Sequence, residues 1–130
     1  LLADEQEDMI DRYLEQGTMY VLDDDGAKAE CVVVEVADGV LEIKSIAVDP
    51  NFQRKGYGRT LINFVAEQYS GEHDVLRVGT GDSPLTIPFY ESCGFHRSYV
   101  VENFFTDNYD HPIFECVVQL VDMIYLEKAL

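Results

Sequence analysis

The stretch from Val40 to Tyr69 changes its hydrophobic period once, and that change constrains the fold more than any other feature. Val40 to Val48 has the pattern of a strand. Asp49-Pro50-Asn51 ends it, because proline cannot donate to a strand ladder and biases the residue before it. From Gly58 the period becomes helical: Leu61, Ile62, Val65, Ala66 and Tyr69 share one face, and Ser70-Gly71 stops the helix. Between strand and helix lies Gln53-Arg54-Lys55-Gly56-Tyr57-Gly58. A helix N-terminus offers unpaired N–H groups and partial positive charge, and glycines let a backbone turn sharply and approach a ligand. Arg54, Lys55 and Arg59 fall within six positions, and no acidic residue occurs between Asp49 and Glu67. Together these features describe a cradle for a diphosphate. The spacing departs from G-x-G-x-x-G, since position 61 is Leu, and the P-loop's Gly-Lys-Ser/Thr is missing, which disfavours both of those nucleotide sites.

That basic island stands in an acidic chain. Its 130 residues hold 25 Asp and Glu against 9 Lys and Arg, a net charge of −16, which argues against a protein that coats nucleic acid or anionic lipid. The length suits one domain, and 47% hydrophobic residues separate the chain from disordered acidic tails. No apolar run exceeds four residues; Cys31 to Val34, one of them, is a strand core and far short of a membrane span. Three widely spaced cysteines in apolar surroundings (Cys31, Cys93, Cys116) point to reduced thiols in a cytoplasmic protein. The chain begins Leu1-Leu2-Ala3 with neither Met nor a signal-peptide pattern, so it has lost a leader or is a piece of a longer chain.

The remaining elements follow from period and punctuation. Asp4 and Glu7 resemble a capping box opening a helix that Gly17 closes. Strands are expected at Thr18–Leu22, Lys28–Val36 and Val40–Val48, turned by Asp23-Asp24-Asp25-Gly26 and Asp38-Gly39 into an antiparallel meander. Val75–Thr80 is a short buried strand. A helix then runs up to Cys93 with Pro88 in its first turn or kinking it, and Gly94 follows as its C′ residue. Arg97–Phe105 and Phe114–Leu126 read as two further strands joined by a loop from Thr106 to Pro112. The expected class is α/β with a mixed sheet.

The loop Gln53-Arg54-Lys55-Gly56-Tyr57-Gly58 resembles the Q/R-x-x-G-x-G/A signature of the GNAT superfamily, the acyl-coenzyme-A-dependent N-acyltransferases. Its flanks, Ile46-Ala47-Val48-Asp49-Pro50 and Leu61-Ile62, are similar to that family, and a second signature follows in Phe89-Tyr90-Glu91-Ser92-Cys93-Gly94-Phe95. The likeness covers Asp4 to Leu126; Asn103 to Tyr109 and Asp122-Met123-Ile124 look like one bacterial branch that acetylates small-molecule or peptide amines. The resemblance implies the GNAT fold without its first strand and most of its first helix, as in a truncated domain. It implies acetyl-coenzyme A as co-substrate and no metal. The segment Gln53, Arg54, Lys55, Gly56, Tyr57, Gly58, Arg59 would hold the pyrophosphate, and the backbone of Ile46, Ala47 and Val48 would pair with the pantetheine arm. Ser83 stands seven residues before Tyr90, where many members place an Asn that touches the coenzyme.

The same resemblance makes Tyr90 the general acid: a phenol with reference pKa near ~10 can reprotonate a thiolate whose conjugate acid lies near ~8.5. Otherwise it is a core aromatic between Phe89 and Phe95. Glu42 stands where several members carry a general base and, by strand alternation, shares a face with Lys44 and Ile46; the alternative is a solvent-facing carboxylate paired with Lys44. A backbone N–H near Val48 would polarise the carbonyl. Cys93 lacks a nearby His and suits an inert thiol. His111 with Asp107, Asp110 and Glu115 suits a solvated loop better than a metal site, and Asp23-Asp24-Asp25-Gly26 lacks the further ligands of a calcium loop. Tyr109 with Phe105 and Phe114 either lines an acceptor pocket or packs. The implied enzyme transfers an acyl group, other than an amino-acyl group, directly to a primary and cationic amine. The rival is an acyl-CoA-binding or regulatory module with little turnover. No nucleic-acid or membrane partner is expected, and a homodimer through the last strands is left open.

Overall fold

A computed structural model describes residues 17–115 and 118–130. The expected helix opening at Asp4 and the side chain of Cys116 lie outside those residues. The described residues divide into two compact units, one reaching to Leu76 and including Ala129–Leu130, the other Arg77–Lys128. No helix among the described residues is long and apolar enough to cross a membrane.

In the first unit, β1 (Thr18–Asp23), β2 (Ala27–Ala37) and β3 (Val40–Val48) form the expected antiparallel meander. Its turns fall at the residues with positive φ: Asp25 and Gly26 (58° and 107°), then Gly39 (75°). Gly26 N–H donates to Asp23 Oδ1 at 3.1 Å, so the first turn is closed by its own side chain. A single 3-10 turn, Pro50–Phe52, follows β3 and is capped by Asp49, whose Oδ1 accepts from Asn51 N–H at 2.9 Å. Helix α1 (Tyr57–Tyr69) then buries Leu61, Ile62 and Val65. Its Phe64 and Tyr69 rings meet Tyr20 edge-on, and the Tyr20 and Tyr69 hydroxyls are 2.8 Å apart. Tyr20 lies opposite Cys31, and Cys31 opposite Ile46. Directly opposed residues point the same way, so these three define the helix-covered face.

Strict alternation would place Glu42 on that face with Ile46, and the structure corrects this. Val33 pairs with Ile43 but Val32 pairs with Ser45, leaving Lys44 as the extra residue of a β-bulge. The shift puts Glu42, opposite Val34, with Ser45 and Ala47 on the face away from α1. Glu42 is also buried (3% exposed) rather than solvent-facing, while its pairing with Lys44 Nζ, at 2.5 Å, is as expected.

Burial pushes the Cys31 thiol from its ordinary value of 9.0 up to about 12, with Glu30 adding a smaller electrostatic push. At pH 8.5 a thiol alkylator should leave Cys31 unmodified in the native protein and label it after denaturation, read by peptide mass spectrometry; native labelling would contradict the assignment. The unfolded thiol loses its proton first, so the unfolded state binds fewer protons above pH 9.0 and stability falls as pH rises from there towards about 12.

The second unit holds β4 (Val75–Gly81, from Arg77 on), α2 (Thr86–Ser92), β5 (His96–Val101), α3 (Phe104–Asn108), the short strands β6 (Phe114–Glu115) and β7 (Val118–Gln119), and β8 (Met123–Ala129, to Lys128). β8 lies between β4 and β5 and pairs antiparallel with β5. Pro88 sits in the first turn of α2, and Gly94 is at C′ with φ 94°. Gly94 N–H donates to Glu91 O and Phe95 N–H to Tyr90 O, at 3.0 and 3.1 Å, the two bonds of a Schellman ending.

Two expected strands are divided. The strand from Arg97 stops at Val101, and Asn103 (φ 58°) turns the chain into α3, which takes in the first part of the expected loop. The stretch from Phe114 to Leu126 holds a β6–β7 hairpin and the start of β8. One side-chain bond and one backbone bond tie the chain together at these breaks. Asp122 Oδ1 accepts from Asn103 N–H at 2.9 Å, and Leu120 N–H donates to Ile113 O at 2.7 Å, which gathers Phe105, Ile113 and Leu120 into one cluster. Tyr109 stacks on Phe105 at 5.7 Å and packs against that cluster, whereas Phe114 is exposed.

Candidate functional site

The loop between β3 and α1 has the backbone of an anion cradle. Arg54 (φ 66°) and Gly56 (φ 85°) are both left-handed, with extended Gln53 ahead of them. Residues of alternating hand turn successive N–H groups towards one concavity. The first bond within α1 runs from Thr60 N–H to Gly56 O at 3.0 Å, so the N–H groups of Tyr57 and Gly58 lie ahead of the helix's own ladder. No side chain caps this end, and no acidic residue occupies the first turn. A Cβ built at Gly56 meets nothing within 4 Å, so the space in front of the loop is open.

Side chains within the loop and beyond it complete the local field. Gln53 Nε2 donates to Val48 O at 3.3 Å, tying the loop's first residue to the end of β3. Tyr57 donates its hydroxyl proton to Asp24 Oδ2 at 2.8 Å, fastening the β1–β2 turn to the first residue of α1; the carboxylate pushes the phenol's pKa up. Lys28, at the start of β2, lies 4.0 Å over the Phe52 ring, and Lys55 lies 5.3 Å from the same ring. Phe52 in turn meets Tyr57 edge-on at 6.4 Å. Sequence reasoning missed Lys28, Asp24 and Phe52. The first two reach the loop across a hairpin, a contact that no local spacing encodes.

The first unit therefore carries Glu42, Ile46, Ala47, Val48 and the whole segment Gln53 to Arg59. In β3, Ile46, Ala47 and Val48 lie opposite Cys31, Glu30 and Ala29. The second unit carries Ser83 and Tyr90. Ser83 is buried, and its Oγ accepts from Leu85 N–H at 3.1 Å, shaping the entry to α2. Tyr90 is 4% exposed, with the rings of Phe89 and Phe95 edge-on at 5.3 and 5.7 Å. No group of metal-ligating side chains occurs among the described residues. His111 Nδ1 meets Asp110 Oδ1 at 2.6 Å in an exposed loop, and the imidazole holds the Asp110 carboxyl below the usual carboxylate range.

The model of the acetyltransferase (GNAT) domain matches residues 15–97. The chain belongs to the GNAT acetyltransferase family. This GNAT chain is 34% identical over 129 residues to the uncharacterized N-acetyltransferase YvbK of Bacillus subtilis, covering 97% of itself and 83% of that protein. It is similar to a GNAT acetyltransferase from Elizabethkingia anophelis with acetyl-CoA bound: TM-score 0.93, 33% identity, 98% of this chain and 86% of that one. A Bacillus subtilis acetyltransferase in complex with CoA gives TM-score 0.91 and 33% identity over the same shares. The mixed α/β fold is that of these acetyltransferases.

Proposed function

We propose that the chain binds acetyl-CoA through the Gln53–Arg59 cradle and transfers its acetyl group directly to a primary, cationic amine. The observation that carries this reading is the loop itself: two left-handed residues leading into a helix N-terminus with no side-chain cap and no acid in its first turn, inside a chain of net charge −16. Family membership and the coenzyme-bound relatives support it. The Escherichia coli relative, 27% identical over 69% of this chain, is a ribosomal-protein bS18 alanine N-acetyltransferase, which supports an amine among the acceptors considered. A cationic acceptor follows from the field of 25 acids against 9 bases.

In this reading the amine nitrogen attacks the thioester carbonyl, the C–S bond breaks, and the products are the acetylated amine and the coenzyme thiol. The Tyr90 hydroxyl gives its proton to the departing sulfur. Glu42, directly or through water, takes the proton the amine loses. Ile46, Ala47 and Val48 align the pantetheine arm as an added strand would, and an N–H near Val48 polarises the carbonyl.

Calorimetry with acetyl-CoA tests the shared step. Binding is expected, with an enthalpy signal lost or strongly weakened when Arg54, Lys55 and Arg59 are all changed to Gln. Absence of binding at millimolar ligand would overturn the reading. A screen of amines by free-thiol release then identifies the acceptor.

A further inference from the structure

The β1–β2 turn and the cradle place acids and bases together, yet they are not paired with each other. Asp23 accepts from Gly26 N–H at 3.1 Å, Asp24 from the Tyr57 hydroxyl at 2.8 Å and Asp49 from Asn51 N–H at 2.9 Å. Three carboxylates are thus engaged by neutral donors. Lys28, Arg54 and Lys55, by contrast, form no ion pair with a carboxylate among the described residues. With 25 acids for 9 bases, cations without a carboxylate partner beside a helix N-terminus mark a place kept for an anionic ligand.

Two of these cations share one ring. Lys28 Nζ is 4.0 Å and Lys55 Nζ 5.3 Å from the Phe52 centroid, so the two ammonium groups lie within about 10 Å, a Debye length at 0.1 M salt. Lys28 is also held from two sides: its Nζ donates to Asp25 O at 3.0 Å, and its carbonyl accepts from Asp49 N–H at 2.9 Å. A lysine fixed in this way loses little freedom when it takes up an anion. The cradle N–H groups account for a pyrophosphate and leave Lys28 unused.

We propose that Lys28 and Lys55, set on the Phe52 ring, hold a phosphate monoester beside the cradle, and that this group is the 3′-phosphate on the coenzyme's ribose. The assignment rests on the coenzyme reading above. It makes the site selective for the phosphorylated coenzyme over its 3′-dephospho form.

The test compares acetyl-CoA with acetyl-3′-dephospho-CoA by calorimetry at 0.1 M salt, in the unaltered protein, Lys28→Gln and Lys55→Gln. The unaltered protein should prefer acetyl-CoA by about tenfold, the scale of one hydrogen bond to a charged group. Lys28→Gln should lose most of that preference by weakening acetyl-CoA alone; unchanged binding of the dephospho form shows that the cradle is intact. Equal binding of both forms by the unaltered protein, or an unchanged ratio in Lys28→Gln, would overturn the inference while leaving the coenzyme reading standing. Failure to bind either form would overturn both.

Discussion

Tyr90→Phe lowers the rate of thiol release by about 10²- to 10⁴-fold, the range for losing one general acid, and leaves acetyl-CoA affinity unchanged. The substitution removes a single oxygen from a ring that packing already holds. Tyr90 is 4% exposed, lies edge-on to Phe89 and Phe95, and sits on a helix whose end is closed by Phe95 N–H on the Tyr90 carbonyl. The pH dependence separates an acid from a structural tyrosine. Above a pH of about 8.5 the coenzyme thiolate leaves without needing a proton, so the deficit of Tyr90→Phe should shrink as pH rises. A deficit constant with pH, or a variant as fast as the unaltered protein, would remove Tyr90 from the acid role and favour a chain that binds coenzyme with little turnover.

The resemblance of Phe89 to Phe95 to a family signature singled out this tyrosine, whereas most elements were legible from local pattern alone. The meander, α1 and α2 were legible because each rests on local rules: turn residues that accept positive φ, apolar residues at helical spacing, a glycine at C′. Two kinds of feature escaped. The bulge at Lys44 is set by how β3 registers against β2, and a one-residue slip moves every later side chain to the other face, so Glu42 and Ile46 part company. The break between β7 and β8 falls where Asp122 and Leu120 bond to Asn103 and Ile113, partners 19 and 7 residues away. At the site, the cradle's glycines and basic residues were contiguous and legible. Lys28 was not, because its approach to Phe52 spans the fold and not the sequence.

Ile62→Ala should cost about 2–5 kcal/mol of stability, as deletion of a fully buried aliphatic side chain leaves a cavity as well as losing its transfer energy. Ile62 is 0% exposed in the middle of α1, between Leu61 and Val65, which are buried with it. Phe64, on the same helix but 48% exposed, gives the contrast: Phe64→Ala loses one edge-on contact with Tyr20 and should cost about 1 kcal/mol. The buried side of α1 also anchors the anion cradle at its N-terminus, so the cost is recoverable by ligand. Acetyl-CoA at a hundred times its dissociation constant should return about 2.7 kcal/mol if it binds only the folded state. Denaturant unfolding with and without acetyl-CoA measures both quantities. If the coenzyme stabilises the unaltered protein by that amount but fails to stabilise Ile62→Ala, the cavity has disordered the cradle, and packing under α1 is part of the binding site. If it stabilises both equally, the cradle depends on its own loop geometry, on Arg54 and Gly56, and the helix core serves stability alone.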